Sequence, residues 1–376
     1  MRDLENKIVV RCGYGFQWVQ LNSPEAKKYE RKAMGHCIGQ DEYDDTTIFS
    51  LRDKDNIPHI TVEFDERINE IERIQGKGNT KPNEKYYNDI FKLYKRLGVT
   101  DYFLLVGNKS YAIANGKIYI GDETILSCPE DTVFDFVYLS RDSKITKWNY
   151  SVSGDFKACS YNLEYVNPKC KFGGKVNIRG TRIKEWHCNV GGDFDASGSK
   201  LEYVNPKCKF GGSIYIWETL VKEWHNDVPD DFDASGSKLE YVTKCKFGGK
   251  VNIRGTNIKE WHCNVPDDFD ASGSKLEYVD TDCKFGGIVD VSMTNIKEWH
   301  CDVPKYFNAE SSKLEYVNPK CKFSWSVNIR KTMVKEWHCK VSSNFDGYGS
   351  KLQKIDICKI KGRIVCNKNV ERIKNC

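Results

Sequence analysis

The sequence predicts an α+β domain followed by a long parallel β-solenoid, and three observations lead to this fold class. Near-copies of a unit of roughly 38 residues fill the chain of 376 residues from about position 118 onward. Within each copy, apolar residues alternate over short stretches, which is typical of a strand with one buried face. The preceding ~115 residues contain no repeat and mix helix and strand signals. A fixed period of this length indicates a stack of repeated coils.

Each repeated unit divides into two half-units that share one template. Counted from its first residue, apolar side chains fall at positions 1, 3, 8 and 11 and a hydroxyl falls at position 6, as in Phe232, Ala234, Ser237, Leu239 and Val242. Each half-unit is predicted to form one coil. The predicted coils start at residues 118, 138, 156, 176, 194, 214, 232, 251, 269, 289, 307, 327, 345 and 363, which makes about 14 coils of roughly 18–20 residues.

This template resembles leucine-rich repeats of the short, helix-poor kind found in bacterial and phage proteins. Ser or Thr stands at position 6, where longer members of that family carry Asn. The resemblance implies a parallel β-solenoid of leucine-rich-repeat type. It implies little about function, because a repeat surface is a general-purpose scaffold.

The first part of the chain carries local helix and strand signals. Ser23 followed by Pro24 predicts the start of a helix, and Gly35 predicts its end. Residues 82–97 have the pattern of an amphipathic helix. Three stretches alternate as strands: residues 47–52, 59–64 and 68–74. The predicted organisation is an α+β domain over residues 1–98, a strand-rich junction over 99–117 and the solenoid over 118–376.

Ordered short motifs run through this first domain. They are Trp18-Val-Gln-Leu21, Met34-Gly-His-Cys-Ile-Gly39, Tyr43-Asp44, Ile48-Phe-Ser-Leu-Arg-Asp53, Pro58-His59, Thr61-Val62-Glu63, Gln75-Gly-Lys-Gly-Asn79 and Pro82. In this order and spacing, the domain resembles the PcfJ-like domain of phages, plasmids and other mobile elements. The resemblance implies a mobile-element context, with a phage as the first candidate, and it brings no activity that can be carried over.

The polar residues of these motifs leave three interpretations open. Cys37 could act as a thiolate nucleophile with His59 as its base, and with Gln75 or Asn79 as orienting or oxyanion donors. Cys37 and its neighbour His36 could instead line a ligand pocket. In the third interpretation, Cys37 is a small buried residue and His36 is a turn residue with its hydrogen bonds satisfied. The catalytic interpretation is weakened because Cys37 follows a helix C-terminus, which does not lower the pKa of a thiol.

The spacing of the 16 cysteines predicts buried thiols without disulfides. Most of those in the repeats occur as Cys-x-Phe, Cys-x-Val or Cys-x-Ile, from Cys170 to Cys358. The cysteine and the apolar residue two places on point the same way, so the sulfur atoms form a column inside the solenoid. Asn226 takes the cysteine position in one coil, which argues against a ladder of disulfides. Histidines precede this position only in alternate coils, about 9–10 Å apart, which is too far for a shared zinc ion. Neither a metal nor another cofactor is predicted.

Charges on the solenoid alternate from coil to coil. At position 9, Lys184 is followed by Glu202 in the next coil, and the alternation continues along the stack, so neighbouring charges compensate each other. The coil that starts at Ile214 breaks the pattern, because Tyr215 and Trp217 replace Asn and Arg. Exposed aromatic residues on a strand face favour contact with a partner. The predicted partner-binding residues are these two aromatics and the arginine row Arg179, Arg254 and Arg330.

Three function classes follow from these patterns. The leading one is a protein–protein interaction scaffold of a phage or mobile element, whose repeats bind a protein partner, with a host protein as one candidate. The alternative is an enzyme with a Cys/His site in the first domain and a substrate recruited by the repeats. The third is nucleic-acid binding, which a net charge of +5 does not favour. The chain begins without an apolar targeting core and contains no run of 18 apolar residues, so a cytoplasmic location is predicted, in the host cell if a phage encodes the chain.

Overall fold

The computed structural model describes residues 7–36 and 46–374. Internal contacts divide the chain into two compact units, residues 1–128 and 129–376. They are called the N-terminal unit and the solenoid unit below. None of the helices in the described parts of the chain combines the length and apolar character that crossing a membrane requires.

A five-stranded antiparallel sheet forms the centre of the N-terminal unit. Its strands are neighbours in chain order: β1 Lys7–Arg11, β2 Gln17–Gln20, β3 Thr46–Arg52, β4 Pro58–Asp65 and β5 Glu70–Gly76. The strands β3 and β4 lie where alternation predicted them. The third predicted strand begins two residues too early, because Ile68 lies in the turn before β5. The strands β1 and β2 were not predicted.

Helix α1, Pro24–Met34, begins and ends where the sequence predicts. The Ser23 side chain accepts a hydrogen bond from the Ala26 amide at 3.1 Å and so caps the first turn. Gly35 adopts a left-handed conformation with φ 65° and ends the helix. The chain then leaves α1 at His36.

Helix α2, Tyr87–Leu97, packs on the face of the sheet opposite to the one that α1 covers. Its residues Ile90 and Leu93 are buried in one core with Trp18, Leu51 and Val62 of the strands. A 3-10 turn, Glu84–Tyr86, precedes the helix, so the regular α-helix starts later than the predicted residue 82.

The rest of the N-terminal unit shows that the first predicted coil, at residue 118, was wrong. It contains α3 Phe103–Val106, β6 Tyr111–Ala114, β7 Lys117–Ile120 and α4 Asp122–Leu126, and 3-10 turns at Gly13–Gly15 and Lys77–Asn79. The predicted coil start at residue 118 lies in β7, which pairs antiparallel with β6. The reason is the turn Asn115-Gly116, where φ is 52° and 72°, because two positive φ values in a two-residue loop make a tight hairpin.

The solenoid unit is a parallel β-solenoid of about 13 coils with little helix. The main ladder is formed by Phe136–Leu139, Phe156–Ala158, Val176–Asn177, Phe194–Asp195, Ile214–Tyr215, Phe232–Asp233, Val251–Asn252, Phe269–Asp270, Val289–Asp290, Phe307–Asn308, Val327–Asn328, Phe345–Asp346 and Ile364–Val365. Most of the predicted starts coincide with these strands. Two were wrong by one residue, because Val137 and Ile364 occupy the register predicted for residues 138 and 363.

A second ladder pairs two coils at a time, so the 38-residue unit is the structural repeat. Its paired strands are Lys147–Trp148 with Tyr165–Val166, Glu185–Trp186 with Tyr203–Val204, Glu223–Trp224 with Tyr241–Val242, Glu260–Trp261 with Tyr278–Val279, and Glu298–Trp299 with Tyr316–Val317. A last group joins Glu336–Trp337, Lys354–Asp356 and Glu371–Ile373.

A third ladder follows the Cys-x-Phe/Val positions. It contains Val133–Phe134 with Ser151–Val152, Lys322–Phe323 with Lys340–Val341, and single bridges such as Phe172 to Val190. Near its end lies a 3-10 turn, Ile357–Lys359.

Aromatic rings of successive coils fill the solenoid core. The ring centroids of Trp186 and Phe194 are 4.9 Å apart, and Phe210 follows Phe194 at 5.4 Å. The same order recurs along the unit up to Phe345. The N–H group of each core indole has a hydrogen-bond acceptor two residues further along the chain. For example, Trp186 Nε1 donates to the Cys188 carbonyl at 2.8 Å. Burial of rings of this size supplies a large apolar contribution per coil.

The predicted cysteine column is buried over most of its length. Its buried members form no disulfide: Cys170, Cys188, Cys208, Cys245, Cys263, Cys283, Cys301, Cys321 and Cys339. Asn226 fills the same position, and its Nδ2 donates to the carbonyls of Asn205 and Cys208. The prediction was wrong for Cys358, which is exposed and disulfide-bonded. A 3-10 turn replaces the strand there, so this side chain leaves the inward direction.

Candidate functional site

A buried polar network joins helix α1 to the sheet of the N-terminal unit. Arg52 Nη2 donates to Glu30 Oε2 at 3.0 Å, and both side chains are almost fully buried. Thr61 Oγ1 donates to Glu30 Oε1 at 2.7 Å. The Thr61 oxygen lies 2.8 Å from His36 Nε2 and, having given its proton to Glu30, accepts the Nε2–H. The network therefore neutralises the buried Arg52 and Glu30 charges and fixes the end of α1 on β4.

Strand register places Gln75 next to this network. Ser50, Thr61 and Gln75 face each other across β3, β4 and β5. At this place, two buried atoms lack a hydrogen-bond partner among the described residues, Gln75 Oε1 and His36 Nδ1. Burial lowers the pKa of His36, which matches a neutral ring whose Nδ1 lone pair is unused. His36 and Gln75 are thus both neighbours of Thr61, His36 through a hydrogen bond and Gln75 through strand register.

His59 lies in a different group of side chains from the network. A β-bulge between Leu51 and Arg52 skips His59 in the register and redirects its ring. Its Nε2 lies 2.9 Å from Asp53 Oδ2, and the Tyr86 hydroxyl lies 2.9 Å from its Nδ1. The bond to His59 holds the pKa of Asp53 below its usual range.

The structure describes four of the five residues of the predicted catalytic set. Cys37 lies outside the described residues. Asn79 is exposed at the end of a 3-10 turn, and among the described residues no hydrogen bond joins His59 to Gln75 or Asn79. The hydroxyls that the two histidines contact, on Thr61 and Tyr86, are on buried side chains. Likewise, within residues 7–36 and 46–374, no three His, Cys, Asp or Glu side chains are grouped to hold a metal ion.

The solenoid's alternating charges pair between neighbouring coils. Lys184 Nζ lies 3.3 Å from Glu202 Oε1, and Lys222 lies 3.9 Å from Glu240. All four side chains are largely exposed, so each pair contributes little stability. These pairs leave the outer face of the second ladder with balanced positive and negative charges.

A column of exposed tyrosines runs along the second ladder. The five side chains are between 43% and 49% exposed: Tyr165, Tyr203, Tyr241, Tyr278 and Tyr316. One occurs every second coil, so neighbouring rings are about 9–10 Å apart. These residues were missed from the sequence. The signal was present, because each tyrosine precedes the inward-pointing valine of a short strand and must point outward.

Three of the five rings in this column contact a histidine of the preceding coil: Tyr203, Tyr278 and Tyr316. The His187 and Tyr203 ring centroids are 5.8 Å apart, and His300 and Tyr316 repeat this contact. His187 Nε2 in turn lies 3.0 Å from Glu185 Oε2. These contacts restrict the side chains of the three tyrosines, which lowers the entropy cost of ordering them on binding.

Leu220 interrupts the polar surface beside the column. The equivalent template position holds Lys200 and Lys238 in the adjacent coils. Leu220 is exposed and lines two neighbouring grooves, of about 930 and 530 Å³. Tyr165 lines the first groove and Tyr203 the second. The coil that starts at Ile214 thus differs from its two neighbours on this face as well as on the main ladder.

The predicted partner-binding residues occupy the main ladder. Arg179 stacks over the Trp217 ring, with its guanidinium carbon 5.0 Å from the ring centroid. Tyr215 and Trp217 are only partly exposed, whereas Arg254 is exposed. Arg330 stacks on Tyr348 at 5.6 Å and lies 3.6 Å from Asp346. Two of the three predicted arginines are therefore engaged within the solenoid.

Comparison with known proteins gives one weak structural likeness. No protein-family model matches the chain, and no curated protein matches it. Among solved structures, the chain is similar to YopM from Yersinia enterocolitica WA-314, with 10% sequence identity over 63% of this chain and 70% of that chain. The TM-score is 0.26. A likeness this low carries no functional argument.

Proposed function

We propose that the solenoid unit is a scaffold that binds a protein partner through the tyrosine column, with the strongest contacts around Leu220. One observation carries this proposal: half-exposed tyrosines recur on one face, and the coil that starts at Ile214 places an exposed leucine between two grooves on that face. Tyrosine is enriched where protein interfaces are buried, and apolar anchors that fill grooves dominate their binding energy.

The charge pattern of this face favours a protein over a nucleic acid. Lysines such as Lys184 are paired with glutamates such as Glu202 at 3.3 Å. A nucleic-acid surface needs an excess of positive charge to displace counterions from phosphates. A mixed surface with apolar grooves instead suits a partner that offers both signs of charge and apolar side chains.

The length of the column sets the size of the partner. Five tyrosines separated by two coils each span roughly 40 Å. This length is sufficient for a folded domain to lie along the face and bury an interface of ordinary size. The resemblance of the first domain to PcfJ-like domains supports a mobile-element protein, and a host protein is then the proposed partner.

Site-specific photocrosslinking tests the proposal. A photoreactive phenylalanine analogue is placed at Leu220 and, as a control, at Met333, which holds the same template position in another coil and is also exposed. We expect a discrete crosslinked protein with the analogue at Leu220 and much less with it at Met333. Equal crosslinking at both positions would contradict a partner surface centred on Leu220.

A further inference from the structure

The third ladder carries a charge pattern that breaks near its C-terminal end. The residue between the cysteine and the apolar residue alternates strictly between lysine and Asn or Asp: Lys171, Asn189, Lys209, Asp227, Lys246, Asn264, Lys284, Asp302 and Lys322. The next two positions hold Lys340 and Lys359. Three successive coils therefore present lysine at this place.

In the regular coils, the Asn or Asp has a structural task. The Lys284 amide donates to Asn264 Oδ1 at 2.9 Å, and the Lys322 amide donates to Asp302 Oδ1 at 2.7 Å. Lys340 stands where such an acceptor is expected and cannot accept this bond. The local pattern of the fold thus gives no reason for a lysine at position 340.

The three lysine-bearing coils form one groove. It has a volume of about 340 Å³, and its lining includes Lys320, Lys322, Lys340, Lys359 and Lys361 but no acidic residue. The two grooves beside the tyrosine column differ, because glutamates balance their lysines. Lys359 is partly compensated, since its Nζ lies 3.7 Å from Asp356 and donates to the His338 carbonyl at 3.0 Å.

The other four ammonium groups of this groove have no ion pair among the described residues. Lys320, Lys322, Lys340 and Lys361 are all exposed, and none lies within ion-pair distance of a described carboxylate. Like charges gathered in one concave site repel one another and attract an anion strongly. The described lining of the groove therefore carries an excess of positive charge.

We propose that this groove binds a multiply charged phosphate group, such as a polyphosphate chain. Charge density favours phosphate over an acidic peptide. A phosphate monoester carries about −1.5 to −2 charges near neutral pH, whereas a glutamate brings one charge together with its side chain and a peptide unit. A groove of about 340 Å³ is near the lower limit for small-ligand sites, so it accepts several phosphates more easily than several glutamates. Lysine serves as a point-charge ligand for phosphate.

Titration calorimetry of the full chain with tripolyphosphate tests this proposal. The variant is Lys340→Asn combined with Lys361→Asn, which restores the repeat pattern at position 340. The control is Lys284→Asn, which removes one lysine of the same column outside the groove. We expect saturable binding to the unchanged protein at low salt, about ten-fold or more weaker binding to the double variant, and weaker binding as salt rises. The control should bind like the unchanged protein.

Further ligands identify the source of the phosphate. A short single-stranded oligonucleotide that competes with tripolyphosphate in the groove would assign the phosphate to a nucleic-acid backbone, and failure to compete would assign it to a free polyphosphate. Three results would overturn the proposal: no saturable binding of tripolyphosphate, equal binding to the double variant and the unchanged protein, or tighter binding of hexaglutamate than of tripolyphosphate.

Discussion

The Trp224 ring packs against Phe232 of the next coil, with their centroids 5.2 Å apart. Phe210 of the preceding coil contacts the other side of the indole at 5.9 Å. Trp224 is fully buried, so Trp224→Ala leaves a cavity in the aromatic stack. We expect a loss of about 3–5 kcal/mol of stability, measured as a lower urea midpoint. Tyr241→Ala, at a half-exposed position of the same coil pair, is the control and should shift the midpoint much less.

Replacing Met293 by glycine should stabilise the solenoid unit. Met293 has φ 55°, and the equivalent turn positions in other coils hold Gly255 and Gly273 with φ 67° and 65°. A side chain in this conformation costs about 1–2 kcal/mol, while the added flexibility of a glycine in the unfolded chain costs about 0.5–1 kcal/mol. A small increase in the thermal midpoint is therefore expected. The reverse change, Gly273→Met, should lower it, and equal midpoints for both variants would contradict the strain argument.

The buried thiols should be unreactive until the solenoid unfolds. Burial raises the pKa of Cys263 to about 11 and that of Cys321 to about 12. At pH 8 almost none of either thiol is ionised, and the thiolate is the reactive form. Thiol counting with a chromogenic disulfide should detect the nine buried cysteines of the column only after denaturant is added. Their rapid reaction in the folded protein would mean that the column is accessible.

His36 should make the N-terminal unit less stable as the pH falls. Its pKa in the folded protein is lowered by burial, so the unfolded chain binds the proton more readily. The stability that depends on neutral His36 is therefore fully present above the pKa of His36 in the unfolded chain, about 6.5. It is lost as the pH falls through that value toward the pKa of His36 in the folded protein. Hydrogen exchange at β4 should therefore accelerate between about pH 7 and 5.

His36→Gln is the matched control for this effect. The glutamine side chain can still donate to Thr61, but it does not titrate. The part of the pH dependence that comes from His36 should disappear in this variant. If the variant and the unchanged protein show the same pH profile, other groups dominate.

Local sequence signals predicted some elements to the residue. Helix α1 has its cap, its proline and its terminal glycine within the segment itself, so Ser23 and Gly35 locate both ends. The ladders follow from repetition, since one template repeated in sequence forces one register in space. The predicted starts failed toward the ends of the repeats, at residues 118, 138 and 363, where the template is least regular.

The candidate surfaces depended on tertiary structure. The tyrosine column was not predicted, because the template was defined by the apolar positions that face the core. Tyr203 points away from that core. The contacts of His59 with Asp53 and Tyr86 were not predicted, since alternation does not reveal the β-bulge that turns its ring toward them. The role of Leu220 needs the two grooves, which neighbouring coils form together.

The most direct test of the scaffold proposal is the affinity of the crosslinked partner, once purified, for three forms of the protein. The unchanged protein is compared with the double variant Tyr203→Ser and Leu220→Lys, and with Met333→Lys as the matched control at the same template position. Loss of two anchors costs about 2–4 kcal/mol, so the dissociation constant of the double variant should rise about 30-fold or more. The control should bind like the unchanged protein. A double variant that binds the partner as tightly as the unchanged protein would contradict the account.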